Sequence, residues 1–118
     1  MSRIEKLKAI VRRSFEAAQE RDIKNSLTAI AMPDYVHHWG ERHETVEDFR
    51  VREQDNWRRF PDCTYKIDDL IGEGDRVALR WTMSGTDTDQ DNKPMLCQGI
   101  SIVRFEGDKI AESWEFSY

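Results

Sequence analysis

The sequence predicts an α+β fold in which helices come first and an antiparallel sheet follows. In the first sixty residues, apolar side chains recur every three or four positions, which is the spacing of one helix face. From residue 63 onward they alternate with polar side chains, as in strands that bury one face. A chain of 118 residues is long enough for one core. We therefore expect a single domain, residues 1–118.

Three helices are predicted in the first half of the chain. The first covers residues 3–20, where one apolar stripe runs along an otherwise charged segment. Asp22 can cap a second, shorter helix, which Pro33 ends because proline disfavours the helical conformation in the residue before it. Thr45 and Asp48 have the spacing of a capping box, so a third helix begins there and ends at the FPD motif.

The remaining segments are predicted to be extended. A brief one at Tyr35–Val36 precedes the third helix, and four strands follow that helix, at residues 64–71, 77–83, 96–105 and 110–116. The turn sequences GEGD and EGDK join the first pair and the last pair of these four strands. The polar stretch 87–94 is predicted to be a loop. Successive strands joined by such short connections form an antiparallel sheet.

Charge and hydropathy exclude several classes of partner. The chain has 18 basic and 23 acidic residues and a net charge of -5, which argues against binding to a nucleic acid backbone. The sequence has no apolar run long enough for a membrane helix or a signal peptide, so we expect no membrane partner and a cytoplasmic location. Only 38% of the residues are hydrophobic, and this lean composition favours self-association as a homodimer.

No motif indicates a cofactor or a metal. The nucleotide-binding patterns GxGxxG and GxxxxGK[ST] are absent, so we expect no cofactor. Cys63 and Cys97 lack the spacing of a zinc site, and free thiols are expected. The run DTDQD at residues 87–91 starts like a calcium loop, but Asn92 and Gln98 occupy the positions that need Gly and Glu.

Three segments together resemble the SnoaL-like polyketide cyclases, a branch of the nuclear transport factor 2-like superfamily: MPDYVHHWG, FPDCTYKIDDLIGEGDRVALRWTMSGTDT and GISIVRFEGDKIAESWE. The order of elements matches along the whole chain. The resemblance implies a cone-shaped fold, in which three helices pack on a curved antiparallel sheet around a pocket, and frequently a homodimer. The superfamily includes enzymes of several kinds and proteins that only bind, so the function must be argued from the site.

The resemblance implies an acid–base role for Glu115, since these cyclases place an acidic residue directly after the Trp of the last strand, here Trp114. A carboxylate can remove a proton next to a carbonyl group when burial raises its pKa toward the working pH. Strand alternation places Glu115 on one face with Ala111 and Ser113, whose small side chains leave room for a ligand. The alternative is a solvated, inert residue near the end of the chain.

The second catalytic candidate is His38, because the family often places a His close to the pocket mouth in this segment. Imidazole can move protons near neutral pH. His37 matches the family position less well, and the alternative for both is solvation at the surface. Aldol cyclases of the family also carry a His on the strand before the last, where residues 98–102 read QGISI. The missing histidine, together with Glu instead of Asp at position 115, argues against an aldol cyclase and favours a different reaction or no reaction.

The remaining predicted ligand contacts are Tyr35, Trp39, Trp57, Ser101 and Ser113. Trp81 and Trp114 are expected on the exposed sheet face, in a dimer interface. An epoxide hydrolase would need two carboxylates bridged by an Arg, and Arg80, Asp68 and Asp69 offer these residue types. Alternation places the two aspartates on opposite faces, so a surface salt bridge is expected instead.

Two hypotheses follow. In the first, a cofactor-free enzyme, a cyclase or an isomerase, binds a small, largely apolar or aromatic carbonyl compound and moves a proton with Glu115, assisted by His38. In the second, a module without catalytic activity binds a small ligand or acts as a dimeric scaffold. The second is favoured by the missing histidine in QGISI.

Overall fold

Helices pack on one face of a six-stranded sheet. The structure is a computed structural model that describes residues 1–118. The helical elements are α1 (Arg3–Gln19), a π-helical turn (Lys24–Thr28) and α2 (Val46–Arg59). The strands are β1 (Ala31–Trp39), β2 (Arg42–Glu44), β3 (Thr64–Glu73), β4 (Arg76–Asp87), β5 (Lys93–Glu106) and β6 (Lys109–Ser117). The predicted α+β class, with helices before the main sheet strands, is confirmed.

Both α-helices begin at side-chain caps. Ser2 Oγ accepts a hydrogen bond of 3.1 Å from the backbone N–H of Glu5 at the start of α1. The predicted capping box starts α2: Thr45 Oγ1 accepts from the Asp48 N–H at 3.2 Å, and the Asp48 carboxylate accepts from the Thr45 N–H at 3.1 Å. α1 buries an apolar stripe, whereas the one side chain that α2 buries is Glu53. Neither helix combines the length and hydropathy needed to cross a lipid bilayer.

The predicted second helix and short extended segment differ from the structure. The helix is only a five-residue π-helical turn, in which the hydroxyls of Ser26 and Thr28 bond back to main-chain carbonyls. The extended segment is the nine-residue strand β1, and it contains Pro33. Proline is tolerated there because the pairing of β1 with β6 shifts register between Ala31 and Val36, where no ladder hydrogen bond needs its N–H.

The sheet has the order β2-β1-β6-β5-β4-β3. All neighbouring strands are antiparallel except β1 and β6, which run parallel, so the prediction of a purely antiparallel sheet is wrong at this pair. The parallel register places His37 beside Ser113 and Trp39 beside Glu115. This pairing places the first strand and the last strand of the chain side by side inside the sheet.

The core consists of two apolar clusters between the helices and the sheet. The larger includes Leu7 and Phe105, both almost completely buried, and the smaller contains Phe60, Cys63 and Met83. Cys63 and Cys97 are both free, as predicted. Side chains from both clusters line the cavity in which the candidate site lies.

Candidate active site in the sheet cavity

A cavity of about 160 Å³ lies between the helices and the concave face of the sheet. Eleven of its twenty lining residues are hydrophobic, so the body of a bound ligand would be apolar. The polar lining residues include two hydrogen-bonded groups. We call Tyr35, Ser113, His37 and Glu115 the sheet network. We call Glu53 and Tyr65, together with Trp57 behind them, the helix network.

The sheet network is a continuous chain of hydrogen bonds. Tyr35 Oη and His37 Nδ1 each lie 2.6 Å from Ser113 Oγ, and His37 Nε2 lies 3.0 Å from Glu115 Oε1. A carboxylate can only accept, so the His37 Nε2–H donates to Glu115. In a neutral imidazole, Nδ1 then accepts from the Ser113 hydroxyl, which in turn accepts from the Tyr35 hydroxyl. Every member therefore has a partner, and the carboxylate is held in one orientation.

The charge state of Glu115 is set by two opposing effects. Its side chain is only 12% exposed, and burial by itself raises the pKa of Glu115. The hydrogen bond from His37, with the charge of Arg52, outweighs burial and holds this pKa below its ordinary value. The prediction of a raised pKa is therefore wrong, because it did not include a donor bound to the carboxylate. Glu115 is ionised at neutral pH.

Strand geometry explains why these four side chains meet. Along β6, Ser113 and Glu115 both line the cavity, as strand alternation predicted. Ile110 lines it in place of Ala111, so the prediction is wrong there, because a register shift beside Arg104 and Phe105 interrupts the alternation. Along β1, Tyr35 and His37 point the same way, and the parallel register brings His37 next to Ser113. The rings of His37 and of Phe49 in α2 are perpendicular, with 5.4 Å between the ring centres.

His38 lies on the opposite face of the sheet, so its predicted place at the pocket is wrong. Its Nε2 is 2.6 Å from Glu112 Oε2, its Nδ1 is 2.8 Å from His43 Nδ1, and its ring stacks on Trp114. The physical reason is the two-residue period of a strand, which sends neighbouring side chains to opposite faces. His37 instead supplies the imidazole of the site.

The helix network contains a carboxyl group that the sequence analysis missed. Tyr65 Oη donates to Glu53 Oε1 at 2.6 Å, and the Trp57 indole N–H donates to Tyr65 Oη at 2.9 Å. Burial raises the pKa of Glu53, and the charge of Glu115 raises it further, although Tyr65 and Arg52 act in the other direction. Glu53 lies four residues after Phe49 and four before Trp57. These spacings place Glu53 on the same helix face as the two aromatic residues, and a charged residue on such a face was the signal that the sequence offered.

The family follows from a comparison with known protein families. The family model described as SnoaL-like polyketide cyclase matches residues 8–117. The chain belongs to the SnoaL-like polyketide cyclase family. No curated protein matches the sequence significantly.

Solved structures confirm the nuclear transport factor 2-like fold of this SnoaL-like chain. AclR of Streptomyces galilaeus is 22% identical with a TM-score of 0.89, and the alignment covers 97% of this chain and 79% of AclR. TsrD of Streptomyces laurentii is 21% identical with a TM-score of 0.85, covering 99% and 90%. IdmH of Streptomyces antibioticus is 23% identical with a TM-score of 0.81, covering 94% and 91%. At such identities the likeness extends to the fold alone.

Trp81 of β4 forms one wall of the SnoaL-like cavity, next to the QGISI segment of β5. Trp81 lines the cavity and donates its indole N–H to Ser101 Oγ at 3.0 Å. Its expected position on the exposed face is wrong, because alternation groups it with the buried Leu79 and Met83. Gly99 lies opposite Trp81, and a Cβ there would come within 2.4 Å of the Trp81 ring. Glycine at this position therefore leaves room for the indole.

Two of the predicted ligand contacts lie outside the cavity lining. Trp57 faces Tyr65 instead, as described above. Trp39 is covered by the guanidinium groups of Arg42 and Arg52, whose centres are 5.2 and 5.1 Å from the ring centre. Both tryptophans support the walls of the site from behind. Tyr35, Ser101 and Ser113 do line the cavity.

The charged trio considered for an epoxide hydrolase lies at the surface. Arg80 is 2.7 Å from Asp69 and 3.9 Å from Asp68, and none of the three lines the cavity. A register shift between Ile67 and Asp69 breaks the strand alternation, which is why Arg80 reaches both aspartates. The predicted surface salt bridge is confirmed, whereas the prediction that the aspartates face opposite sides is wrong.

Proposed function

We propose that this SnoaL-like protein binds a small, largely apolar carbonyl compound in the cavity and moves a proton beside the carbonyl group, without a cofactor. The observation that carries the proposal is the sheet network, which holds an ionised Glu115 carboxylate in one orientation at the wall of an apolar cavity. His37 takes the assisting role that was expected of His38.

The reaction follows from the chemistry of the two side chains. Glu115 uses Oε1 to accept the hydrogen bond from His37, and Oε2 takes the proton from the carbon next to the carbonyl. The electron pair of the broken C–H bond becomes an enolate, which either regains a proton at another carbon or attacks a second carbonyl. The first outcome is an isomerisation and the second a ring closure. In the ring closure a carbon–carbon bond forms, the π pair of the second carbonyl moves to its oxygen, and that oxygen takes the proton back from Glu115. Neither outcome consumes an oxidant or a reductant.

A binding module without catalytic activity is the second candidate. It is favoured by the lowered pKa of Glu115, because a weaker base removes a carbon-bound proton less readily. Both candidates predict that the cavity takes up an apolar ketone. They differ in whether the bound ketone exchanges its protons.

The test uses 2-tetralone, an aromatic ketone with exchangeable protons beside its carbonyl, in deuterated buffer. We expect wild-type protein to accelerate deuterium uptake at these positions above the buffer rate, measured by proton NMR. Tetralin lacks the carbonyl and should suppress this acceleration by competing for the cavity. Saturable binding without acceleration would support the binding module, and the absence of binding would contradict both candidates.

We also propose that the protein forms a homodimer through the outer face of the sheet. Four apolar side chains are exposed there on the neighbouring strands β5 and β6: Leu96, Ile100, Ile102 and Phe116. We call them the outer patch. Contiguous apolar surface of this kind is typical of interaction sites. Because the patch lies on one regular surface, it can pair with a second copy about a two-fold axis.

Light scattering is expected to give twice the 14.0 kDa mass of one chain. Ile100→Asp introduces a charge into the outer patch and should give the single-chain mass. Ile71→Asp is the matched control, since Ile71 is 66% exposed on the edge strand β3, outside the patch. A single-chain mass for wild type at all concentrations would contradict the dimer.

A further inference from the structure

Glu53 is an unusual residue for the place it occupies. Acidic side chains are almost never buried unless they are paired, yet the side chain of Glu53 faces the cavity with only 7% of the residue exposed. No cationic nitrogen lies within 4.0 Å of its carboxylate, since the guanidinium of the neighbouring Arg52 is bound to Glu44 at 2.9 Å. Its only hydrogen-bond partner in the protein is a phenol, that of Tyr65.

The helix network fixes which oxygen of Glu53 can carry a proton. An indole N–H can only donate, so Tyr65 Oη accepts from Trp57 and uses its own proton to donate to Glu53 Oε1. Oε1 is therefore the acceptor, and a carboxyl proton belongs on Oε2. No side-chain oxygen in the protein is both fully buried and without a hydrogen-bond partner. Glu53 Oε2 has no partner, and it is therefore accessible from the cavity side of the residue or from solvent. Because Glu53 lines the cavity, a proton on Oε2 is available to a ligand there.

We propose that Glu53 is the general acid of the site and donates its Oε2 proton to the carbonyl oxygen of the bound ketone while Glu115 removes the neighbouring carbon-bound proton. This inference rests on the proposed proton transfer. The broken C–H bond supplies the pair of the new C=C bond, and the carbonyl π pair moves to oxygen, which takes the proton of Glu53. The product is a neutral enol, with Glu115 protonated and Glu53 ionised. Reversal of the two transfers restores both carboxyls.

The electrostatics of the cavity agree with this division of roles. Burial and the charge of Glu115 raise the pKa of Glu53, while His37 and Arg52 lower that of Glu115. Two carboxyl groups whose surroundings separate their pKa values in this way form an acid and a base. The acid acts only while protonated, so the exchange rate should fall as the pH rises through the pKa of Glu53.

The test is Glu53→Gln, assayed with 2-tetralone as above. The amide keeps the size of the side chain and can accept from Tyr65, but it has no acidic proton. We expect the exchange rate to fall about 100-fold, which is within the usual contribution of a general acid. The decline at high pH should disappear, and 2-tetralone affinity should stay within about twofold. A merely structural Glu53 would leave the pH profile unchanged.

Glu112→Gln is the matched control, because Glu112 lies on the outer sheet face beside His38 and should leave the rate unchanged. Exchange by wild type with an equal rate in Glu53→Gln would overturn the role of Glu53 alone. Absence of exchange in wild type would overturn the proposed function, and this inference with it.

A carbon-13 NMR titration of wild type gives an independent check, with the Glu53 signal assigned from Glu53→Asp if Glu53→Gln does not fold. An ordinary or lowered pKa for Glu53 would also overturn its role as the general acid.

Discussion

Glu115→Gln is expected to lower the rate of deuterium exchange in 2-tetralone by about 10²–10⁴-fold, the usual contribution of a general base. The amide oxygen can still accept from His37, so the sheet network keeps its geometry while the cavity loses its base. Binding should be preserved, because the apolar walls are unchanged. Trp81 lines the cavity, and the quenching of its fluorescence by 2-tetralone can measure the affinity separately from the rate.

The fall of the exchange rate at low pH, the acidic limb of the pH profile, also tests the role of Glu115 as the base. A base acts only when it is ionised, so the wild-type rate should fall as the pH drops through the lowered pKa of Glu115, below the ordinary value of 4.5. In His37→Leu the donor is removed and burial dominates, so this limb should move to higher pH. Glu112→Gln should not move it. An acidic limb that stays in place in His37→Leu would contradict the coupling, and full activity in Glu115→Gln would remove this residue from the mechanism.

Local patterns in the sequence were enough to predict most of the fold. The capping box at Thr45 and Asp48 depends on neighbouring residues only, as does the turn at Gly74, where a positive φ of 60° favours glycine. β1 could not be predicted in this way. Its partner β6 lies more than seventy residues away, and Pro33 argues locally against a strand. The register shift that makes proline acceptable is visible only in the assembled sheet.

The difference between local patterns and contacts of distant elements also explains which site residues could be predicted. The alternation from Ser113 to Glu115 is regular, so the face of Glu115 could be predicted. His37 and His38 are adjacent, and a choice between them requires the register of β1, since a one-residue shift exchanges the two faces. Glu53 was missed, although it lies between Phe49 and Trp57 on one helix face, because its role depends on Tyr65, which a different element supplies. Predicting that contact from sequence would require the packing of α2 on the sheet.

Phe105→Ala is expected to lower the free energy of unfolding by about 3–5 kcal/mol, the usual cost of removing a buried phenylalanine. Phe105 is 1% exposed and belongs to the core cluster that contains Leu7 of α1 and Val77 of β4. Truncation would leave a void between helix and sheet. Domains of this kind have a total stability of about 5–15 kcal/mol, so this loss is a large share of it. Urea unfolding at a fixed protein concentration measures it as a lower midpoint with an unchanged slope.

Ile71→Ala is the control for this measurement, because Ile71 is 66% exposed, and surface substitutions usually change stability by less than about 0.5 kcal/mol. Phe105 of β5 does not line the cavity, whereas Val11 and Phe15 of α1 do. Folded Phe105→Ala protein should therefore keep its affinity for 2-tetralone as long as α1 stays docked. A stability loss equal to that of Ile71→Ala would mean that the cluster around Phe105 does not hold α1. Lost affinity at full stability would mean that Phe105 shapes the cavity directly.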